Sequence, residues 1–157
     1  MASRVDEKAA RAHMESVIDD HEQAFETFFL ARFMNLSFVY LPTDAPSADK
    51  EVCRVSFPVS DILKNPQGVL HGGVMATAMD ISMGHLVNKV AGPGATIEMK
   101  VQFMRPVSSG IVVCEGSFTR RGRSMAFMES RLSDESGKLS ALATATWKMP
   151  QATQRQT

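Results

Sequence analysis

The longest apolar segment of the chain runs from residue 74 to residue 90 and contains a single acidic side chain, Asp80. A segment of this length that is apolar on nearly every side is typical of a helix buried all round, because a surface helix would show a polar stripe. Burying an ionised carboxylate costs several kcal/mol unless the charge is paired. We therefore expect Asp80 to be buried, and it is the first candidate for a functional side chain.

Alternation of apolar and polar side chains with a period of two predicts β-strands on both sides of this helix. Two strands precede the helix and four follow it as a meander, with one face packed and the other more polar. An antiparallel sheet wrapped around one central helix belongs to the α+β class. The first two strands are predicted at 35–41 and 51–59, and turns between the last four at 106–110, 121–122 and 134–137.

The beginning of the chain is rich in Ala, Glu, Arg and Lys and predicts one helix from residue 5 to about residue 34. We therefore divide the chain into an N-terminal helical extension (1–34), one domain (35–150) and a polar tail (151–157). Phenylalanines at helical spacing form a stripe on the predicted helix, which packs on the sheet or on a neighbouring subunit, or partly covers a ligand pocket. They are Phe25, Phe28, Phe29 and Phe33.

Length and charge narrow the function classes. A chain of 157 residues suits one domain with a real core. Its 17 basic and 17 acidic side chains balance, so no polyanion such as a nucleic acid is expected as a partner. Neither a leader segment nor a membrane span is predicted. The two cysteines, Cys53 and Cys114, are too few for a disulfide framework and lack metal-ligand spacing, so a cytoplasmic protein without a metal is expected.

The start of the apolar helix is the second candidate for chemistry. Gly72 and Gly73 carry no side chain that would block an approaching group, and the first turn of a helix offers unpaired N–H donors. Such donors can bind a carbonyl oxygen on which negative charge develops. Asp80 lies eight residues further on, which is about 12 Å along a helix axis. If both act on one small group, they must come from two copies of the chain, so shared function predicts an obligate dimer.

The spacing of these residues resembles the hotdog-fold acyl-CoA thioesterases, specifically the PaaI-type branch. Asn65 is followed after six residues by His71-Gly72-Gly73, and Asp80 follows nine residues after the histidine. Residues 94–106 resemble the strand after the helix in that family, and residues 122–127 resemble its next hairpin. The resemblance covers about residues 36 to 149. It implies the hotdog fold and hydrolysis of an aryl-acetyl-CoA or medium-chain fatty acyl-CoA, without a metal or redox cofactor.

The resemblance also implies roles for single residues. The Gly72 N–H would polarise the thioester carbonyl, His71 would help to position it, and Asn65 would contact the carbonyl or a water. Asp80 would be the general base or the nucleophile, and Thr96 would help to hold the attacking water. Each role has a structural alternative: a buried hydrogen bond to a backbone N–H or an ion pair with an arginine for the aspartate, a structural hydrogen bond for the histidine, tight packing for the glycines, turn chemistry for the asparagine and strand entry for the threonine.

Three arginines lie close together on the predicted hairpin, at Arg120, Arg121 and Arg123. They form either a solvated turn or, by the resemblance, a site for the phosphates of coenzyme A, which suit guanidinium groups. Gly73 is grouped with them as a substrate-binding residue because it leaves room beside the helix start.

Two rival functions share the fold. One is a protein that binds acyl-CoA without cleaving it, and the other is a hydratase or dehydratase that pairs an aspartate with a nearby histidine. His85 follows Asp80 by five residues, about 500° of helical rotation, so the two side chains would point about 140° apart and make a poor pair. A homodimer is expected, assembled into a tetramer as a dimer of dimers. The sequence leaves the acyl group, and the choice between general base and nucleophile, open.

Overall fold

The computed structural model describes residues 5–42 and 50–150 of the chain. Most of the turn predicted after the first strand, and the whole tail from 151 to 157, lie outside these residues. The apolar segment forms helix α3 (Gly72–Ala91), which begins at the N-cap residue His71 and ends at Gly92. Gly92 has φ 93°, a left-handed backbone conformation that only glycine adopts without strain. No helix within the described ranges is both long enough and apolar enough to cross a membrane.

Six antiparallel strands form one sheet in the order β1-β2-β4-β5-β6-β3. This confirms the α+β prediction of an antiparallel sheet around a central helix. β1 and β3 are the edge strands, so β3 has a ladder partner on one side only within the described residues. The strands are β1 (Ser37–Pro42), β2 (Glu51–Pro58), β3 (Ala95–Phe103), β4 (Ile111–Arg121), β5 (Met125–Ser133) and β6 (Leu139–Lys148).

One stripe of α3 packs on the inner face of the sheet. Met79, Met83 and Leu86 on this stripe are completely buried, as are Phe57 and Phe118 on the strands. The helix also approaches β4 closely, because a Cβ atom on Gly116 would lie only 2.6 Å from the backbone carbonyl carbon of Ser82. A larger residue at position 116 would push the helix off the sheet, so this contact fixes the distance between the sheet and the candidate residues on α3.

The expectation that α3 is buried on every side is wrong for the single chain. Thr77, Asp80, Ile81 and Gly84 form a stripe on the opposite side of the helix, and all four are only partly buried. Asp80 is consequently half-buried at the surface of α3, contrary to the expectation of full burial. The physical reason is that hydrophobic periodicity does not distinguish a helix face that packs on its own sheet from one that lines an apolar cleft.

The single N-terminal helix predicted for residues 5 to 34 is also wrong. The structure has helix α1 (Glu7–Asp20) and a short helix α2 (Phe29–Phe33), and residues 21–28 between them are irregular. No proline or glycine interrupts this part of the sequence. The break is instead explained by tertiary packing, since the rings of Phe25 and Phe28 turn onto His85 of α3.

Candidate active site

Asp80 and Thr96 meet where α3 lies beside the start of β3. The Thr96 hydroxyl donates a hydrogen bond of 2.8 Å to Oδ1 of Asp80. Thr96 lies next to a β-bulge, since the register of β3 against β6 shifts between Thr96 and Glu98. Burial raises the pKa of Asp80 from its ordinary value, and the Thr96 hydrogen bond offsets part of that rise. A carboxylate with a raised pKa is a better proton acceptor, so the pair suits general-base chemistry.

Asp80 lines a cleft of about 350 Å³. The cleft lies between the open face of α3 and the irregular segment 23–28, so the N-terminal extension covers one side of it. Its walls are largely apolar and aromatic, which suits an organic acyl group more than a free sugar or phosphate. Other side chains that line it are Phe25, Phe28, Ile81, His85 and Trp147.

The phenylalanine stripe therefore divides into two parts. Phe25 and Phe28 line the cleft, whereas Phe29 packs edge-on against His21 and Phe33 packs against His13. The alternative in which part of the stripe covers a ligand pocket agrees with this arrangement.

The beginning of α3 carries a second group of candidate residues around His71. The Nδ1 atom of His71 accepts a hydrogen bond of 2.9 Å from the Gly73 N–H. The His71 carbonyl accepts from the N–H groups of Val74 and Met75. Within the described residues the Gly72 N–H has no hydrogen-bond partner, so it is the open donor of the first turn. Because Nδ1 accepts, the proton of neutral His71 is assigned to Nε2.

Gly72 lines a shallow pocket of about 270 Å³ beside Phe103 at the end of β3. A Cβ atom at position 72 would lie 3.3 Å from the ring of Phe103. Because glycine has no Cβ, the space between the ring and the backbone is left for a ligand to approach the Gly72 N–H. The Gly73 N–H, by contrast, is already used by His71. Of the two predicted glycines, Gly72 is the one that presents a donor.

Asn65 holds the loop in front of α3. Its Oδ1 accepts hydrogen bonds from the N–H groups of Gln67 at 2.9 Å and Val69 at 3.4 Å, an Asx turn that also uses Gly68 at φ 80°. The Asn65 Nδ2 donates to no group in the described part of the chain. The carbonyl half of the side chain therefore shapes the loop, and the amide half remains for a ligand or a water.

One chain does not bring the two groups of candidate residues together. Asp80 and Thr96 form one group, and Asn65, His71 and Gly72 form the other. They are separated by about 12 Å along a single rigid helix, and the pockets beside the two groups share no lining residue. The two groups can act on the same reacting carbon only if one of them comes from a second copy of the chain.

The three predicted arginines lie at the tip of the β4–β5 hairpin, and all three are exposed. In the sheet, Ala126 pairs with Trp147 and Trp147 pairs with Thr96, so these residues form one row across three strands. The hairpin tip therefore extends from the same end of the sheet as Thr96. The guanidinium group of Arg121 also lies 5.8 Å from the centre of the Phe118 ring.

Two residues of the cleft were assigned no chemistry in the sequence analysis. His85 and Trp147 are nearly fully buried and line the cleft that contains Asp80. The sequence signal for each of them is a ring nitrogen in an otherwise apolar segment. His85 lies on α3, and Trp147 lies on the inner face of β6. Across the two described ranges, no group of three His, Cys, Asp or Glu side chains is placed to hold a metal ion.

Comparisons with known proteins agree on one family. A family model described as the thioesterase superfamily matches residues 67–141. Acyl-coenzyme A thioesterase 13 of Mus musculus is 30% identical over 110 residues, which cover 68% of this chain and 76% of the mouse protein.

Solved structures show the same fold. A Bacillus halodurans protein solved with CoA superposes with a TM-score of 0.76 at 19% identity, over 93% of this chain and 91% of the other. A mutant of PaaI, the phenylacetic acid degradation protein of Thermus thermophilus, superposes with a TM-score of 0.67 at 20% identity, over 77% and 98%.

Proposed function

This chain belongs to the thioesterase superfamily, has the hotdog fold and is a thioester hydrolase, and from that premise we propose that it cleaves acyl-CoA thioesters at a site shared by two copies of the chain. The observation that carries the proposal is the complementary pair of half-sites on α3. The beginning of the helix offers an open amide donor at Gly72, and its middle offers a half-buried carboxylate at Asp80 beside an apolar cleft. Each half lacks what the other supplies.

In the proposed reaction the Gly72 N–H donates a hydrogen bond to the thioester carbonyl oxygen. Asp80 of the second copy takes a proton from a water, and the water oxygen forms a bond to the carbonyl carbon. The C–S bond then breaks and coenzyme A leaves as a thiolate, which takes up a proton, while the acyl group leaves as a carboxylic acid. Thr96 holds the Asp80 carboxylate in place, and the free Nδ2 of Asn65 donates to the carbonyl or to the water.

An alternative first step has the same balance. Asp80 attacks the carbonyl carbon directly, the thiolate leaves, and water then hydrolyses the resulting mixed anhydride. Both routes need the same two half-sites. In ¹⁸O-labelled water under single-turnover conditions, label in the Asp80 carboxylate would identify the anhydride route with water attacking the aspartyl carbonyl, because the general-base route places the label in the acid product only.

The surface of the single chain supports dimer formation. Among residues 5–42 and 50–150, the outer edge of strand β3 has unpaired backbone groups, and the strand exposes Ile97 at 56% and Phe103 at 54% of their surface. Exposed apolar side chains on an unpaired edge are covered when a second copy pairs with that edge. Phe103 lies beside Gly72, so a second copy bound at this edge also reaches the half-site that contains Gly72. The dimer of dimers and the cytoplasmic location stay predictions.

The arginine hairpin completes the proposed substrate site. Coenzyme A carries phosphates at the end remote from the thioester, and exposed guanidinium groups bind phosphates in a bidentate manner. The hairpin at Arg120, Arg121 and Arg123 projects from the sheet end that holds Thr96. We assign it to the nucleotide end of the substrate, with the acyl group in the cleft beside Asp80.

The hydratase alternative lacks support in the geometry. No hydrogen bond joins Asp80 to His85 among the described residues, and the imidazole instead stacks on Phe38 with ring centres 4.1 Å apart. Assaying enoyl-CoA esters for hydration beside thiol release keeps this alternative open to test.

The direct test of the proposal is the substitution Asp80→Asn. Thiol release from phenylacetyl-CoA and octanoyl-CoA should fall by about 10²-fold or more, because the amide cannot accept the proton. Binding of both esters should survive, since Asn has almost the same shape. Glu115→Gln, which changes an exposed carboxylate paired with Arg54 on the outer face of the sheet, is the matched control and should hydrolyse normally. Unchanged turnover in the Asp80 variant would remove the mechanism.

Mixed dimers test the sharing of the site. We expect Asp80→Asn and Gly72→Pro to be inactive alone, whereas co-expressed subunits should recover about a quarter of the wild-type activity. Half of randomly formed dimers are mixed, and each mixed dimer has one intact site of two. If both half-sites came from one chain, no combination would recover activity.

A further inference from the structure

A pair of buried hydroxyl groups joins α3 to the inner face of the sheet. The Oγ atoms of Ser82 on α3 and Ser130 on β5 lie 2.9 Å apart, and both residues are completely buried. The Ser82 hydroxyl also donates a hydrogen bond of 2.7 Å to the Met79 carbonyl. Because that bond uses the only proton of the Ser82 hydroxyl, the proton between the two serines is assigned to Ser130, which donates to Ser82.

Gly116 contacts the same residue of α3 from the neighbouring strand. Gly116 on β4 pairs directly with Ser130 in the register of the sheet. A Cβ atom at position 116 would lie 2.6 Å from the carbonyl carbon of Ser82, so the helix backbone touches the sheet at this point. Two neighbouring positions of the sheet therefore hold Ser82, one through its backbone and one through its side chain. We call Ser82, Gly116 and Ser130 the helix anchor.

The contacts on both sides of the helix anchor are apolar. Met79 and Met83 lie on the buried stripe of α3 next to Ser82, and both are completely buried. Apolar packing has no preferred direction and methionine adapts to its surroundings, so these contacts do not by themselves fix the rotation of the helix about its axis. Among the described residues, the bond between Ser82 and Ser130 is the only fully buried hydrogen bond from a side chain of α3 to a strand. It is therefore the directional contact that can fix this rotation.

The helix anchor and the candidate carboxylate lie on opposite sides of α3. Ser82 follows Asp80 by two residues, which is about 200° of helical rotation. Asp80 in turn accepts a hydrogen bond from Thr96 on β3. Hydrogen bonds on both sides of α3 therefore tie the same turn of the helix to the sheet. A rotation of α3 that breaks the bond to Ser130 also moves the carboxylate relative to Thr96 and to the cleft.

We propose that Ser82 and Ser130 are positioning residues of the hydrolytic site: their hydrogen bond fixes the rotation of α3 and thereby the place of the Asp80 carboxylate beside Thr96. The proposal rests on the proposed function, because Asp80 is the base or the nucleophile of that reaction. It adds two residues that touch no substrate and act through the helix. Losing their bond displaces the carboxylate but leaves the walls of the substrate site in place, so kcat should respond more than KM.

The test compares single and double alanine variants of the two serines. Ser82→Ala alone leaves the Ser130 O–H buried without its acceptor, so this variant should have a lower Tm than the wild type. Combining Ser82→Ala with Ser130→Ala removes donor and acceptor together and should recover most of that loss. If the serines only stabilise the fold, activity recovers together with Tm. If they position Asp80, the double variant is stable, but its kcat for phenylacetyl-CoA is lower than that of the wild type by about tenfold or more, with KM within about twofold. A stable double variant with the wild-type kcat would overturn the proposal.

Ser130→Ala is the mildest variant and gives the same test if the double variant is unstable. The Ser82 hydroxyl keeps its bond to Met79, so no buried donor is left unpaired, and kcat should fall at a Tm close to that of the wild type. The control is Ser140→Ala. Ser140 on β6 is 1% exposed, and its hydroxyl donates to the Lys138 carbonyl at 3.4 Å. This variant loses a buried hydroxyl outside the helix anchor and should keep the wild-type kcat. An equal loss of kcat in Ser140→Ala and Ser130→Ala would overturn the proposal.

The titration of Asp80 separates this inference from the proposed function. ¹³C NMR of side-chain carboxyl groups reports the pKa of Asp80 in the protein without substrate, and Asp80→Asn identifies the signal. Because the Thr96 hydrogen bond lowers this pKa, the pKa in the double alanine variant should rise towards its value in Thr96→Val. If no ester is cleaved but the pKa rises in this way, the hydrolytic function fails and the positioning of Asp80 by the helix anchor stands. If esters are cleaved and the double variant keeps both the kcat and the Asp80 pKa of the wild type, the inference fails and the function stands.

Discussion

Substituting proline for Gly72 removes one hydrogen-bond donor with little other change. Gly72 is the first residue of α3, where proline is well tolerated because that N–H is not needed by the helix. The preceding residue, His71, has φ −64° and ψ 132°, an extended conformation that a following proline favours. Gly72→Ala is the matched control, since it adds the same Cβ near Phe103 but keeps the N–H.

The size of the effect follows from the role of the amide. Removing one donor to a developing oxyanion costs about 2.7 to 4 kcal/mol, or 10²- to 10³-fold in kcat. The free energy of unfolding of Gly72→Pro should stay within about 1 kcal/mol of that of Gly72→Ala, because proline at this position removes no helical hydrogen bond. The added Cβ lies against the same Phe103 ring in both variants, so its effect cancels in their comparison.

The assay is thiol release from phenylacetyl-CoA and octanoyl-CoA, with thermal denaturation measured on the same preparations. The expected result is a Gly72→Ala enzyme close to wild type and a Gly72→Pro enzyme that is folded but slower by two to three orders of magnitude. If Gly72→Pro kept more than about a third of the turnover of Gly72→Ala, the amide would not be the oxyanion donor.

Three further predictions concern charge. Thr96→Val removes the hydrogen bond that lowers the pKa of Asp80, so the acidic limb of the kcat/KM profile against pH should move to higher pH, whereas Thr96→Ser should leave it in place. Because the folded pKa of Asp80 lies above its ordinary value of 3.8, the ionised carboxylate destabilises the native state. Asp80→Asn should therefore unfold at a higher Tm than the wild type at pH 7, with the difference vanishing below about pH 3.8 in thermal scans; an equal Tm at both pH values would contradict this. Replacing Arg120, Arg121 and Arg123 together by Ala should raise KM with little change in kcat and should weaken the salt dependence of KM. The control is Arg131→Ala on the outer face of the sheet, where the arginine pairs with Glu129. An unchanged KM in the triple variant would show that the hairpin is only a solvated turn.

The sequence predicted the regular parts of the fold well because their patterns are local. The apolar segment 74–90 lies in helix α3, and the helix begins at Gly72, as expected from the glycines before that segment. The first two strands lie within two residues of 35–41 and 51–59, and the last four strands are separated near the predicted turns.

The N-terminal extension was predicted less well because its shape depends on distant contacts. Nothing between residues 21 and 28 breaks a helix locally, and the chain leaves the helical path where Phe25 and Phe28 contact His85. The partial exposure of Asp80 was missed for a related reason. Hydrophobic periodicity shows which residues avoid water but not whether their own sheet or another chain covers them.

The residues of the candidate site also differed in how far the sequence could predict them. The spacing from Asn65 to Asp80 lies within one stretch of chain and could be recognised, and the resemblance supplied Thr96. The positions of Trp147 and His85 in the cleft could not be predicted, because they depend on which side chains meet after β6 has joined the sheet.

In the proposed dimer, helix α3 carries the amide of one catalytic site at its beginning and the carboxylate of the other site about two turns later. Because the helix is rigid, it fixes the distance between this amide and this carboxylate, and so it couples the geometry of the two sites. Sliding it by one residue, about 1.5 Å, would draw the carboxylate towards one substrate while withdrawing the amide from the other. Substitutions at Gly116, which sets how closely the helix meets the sheet, should therefore misalign both sites together although the residue touches neither substrate.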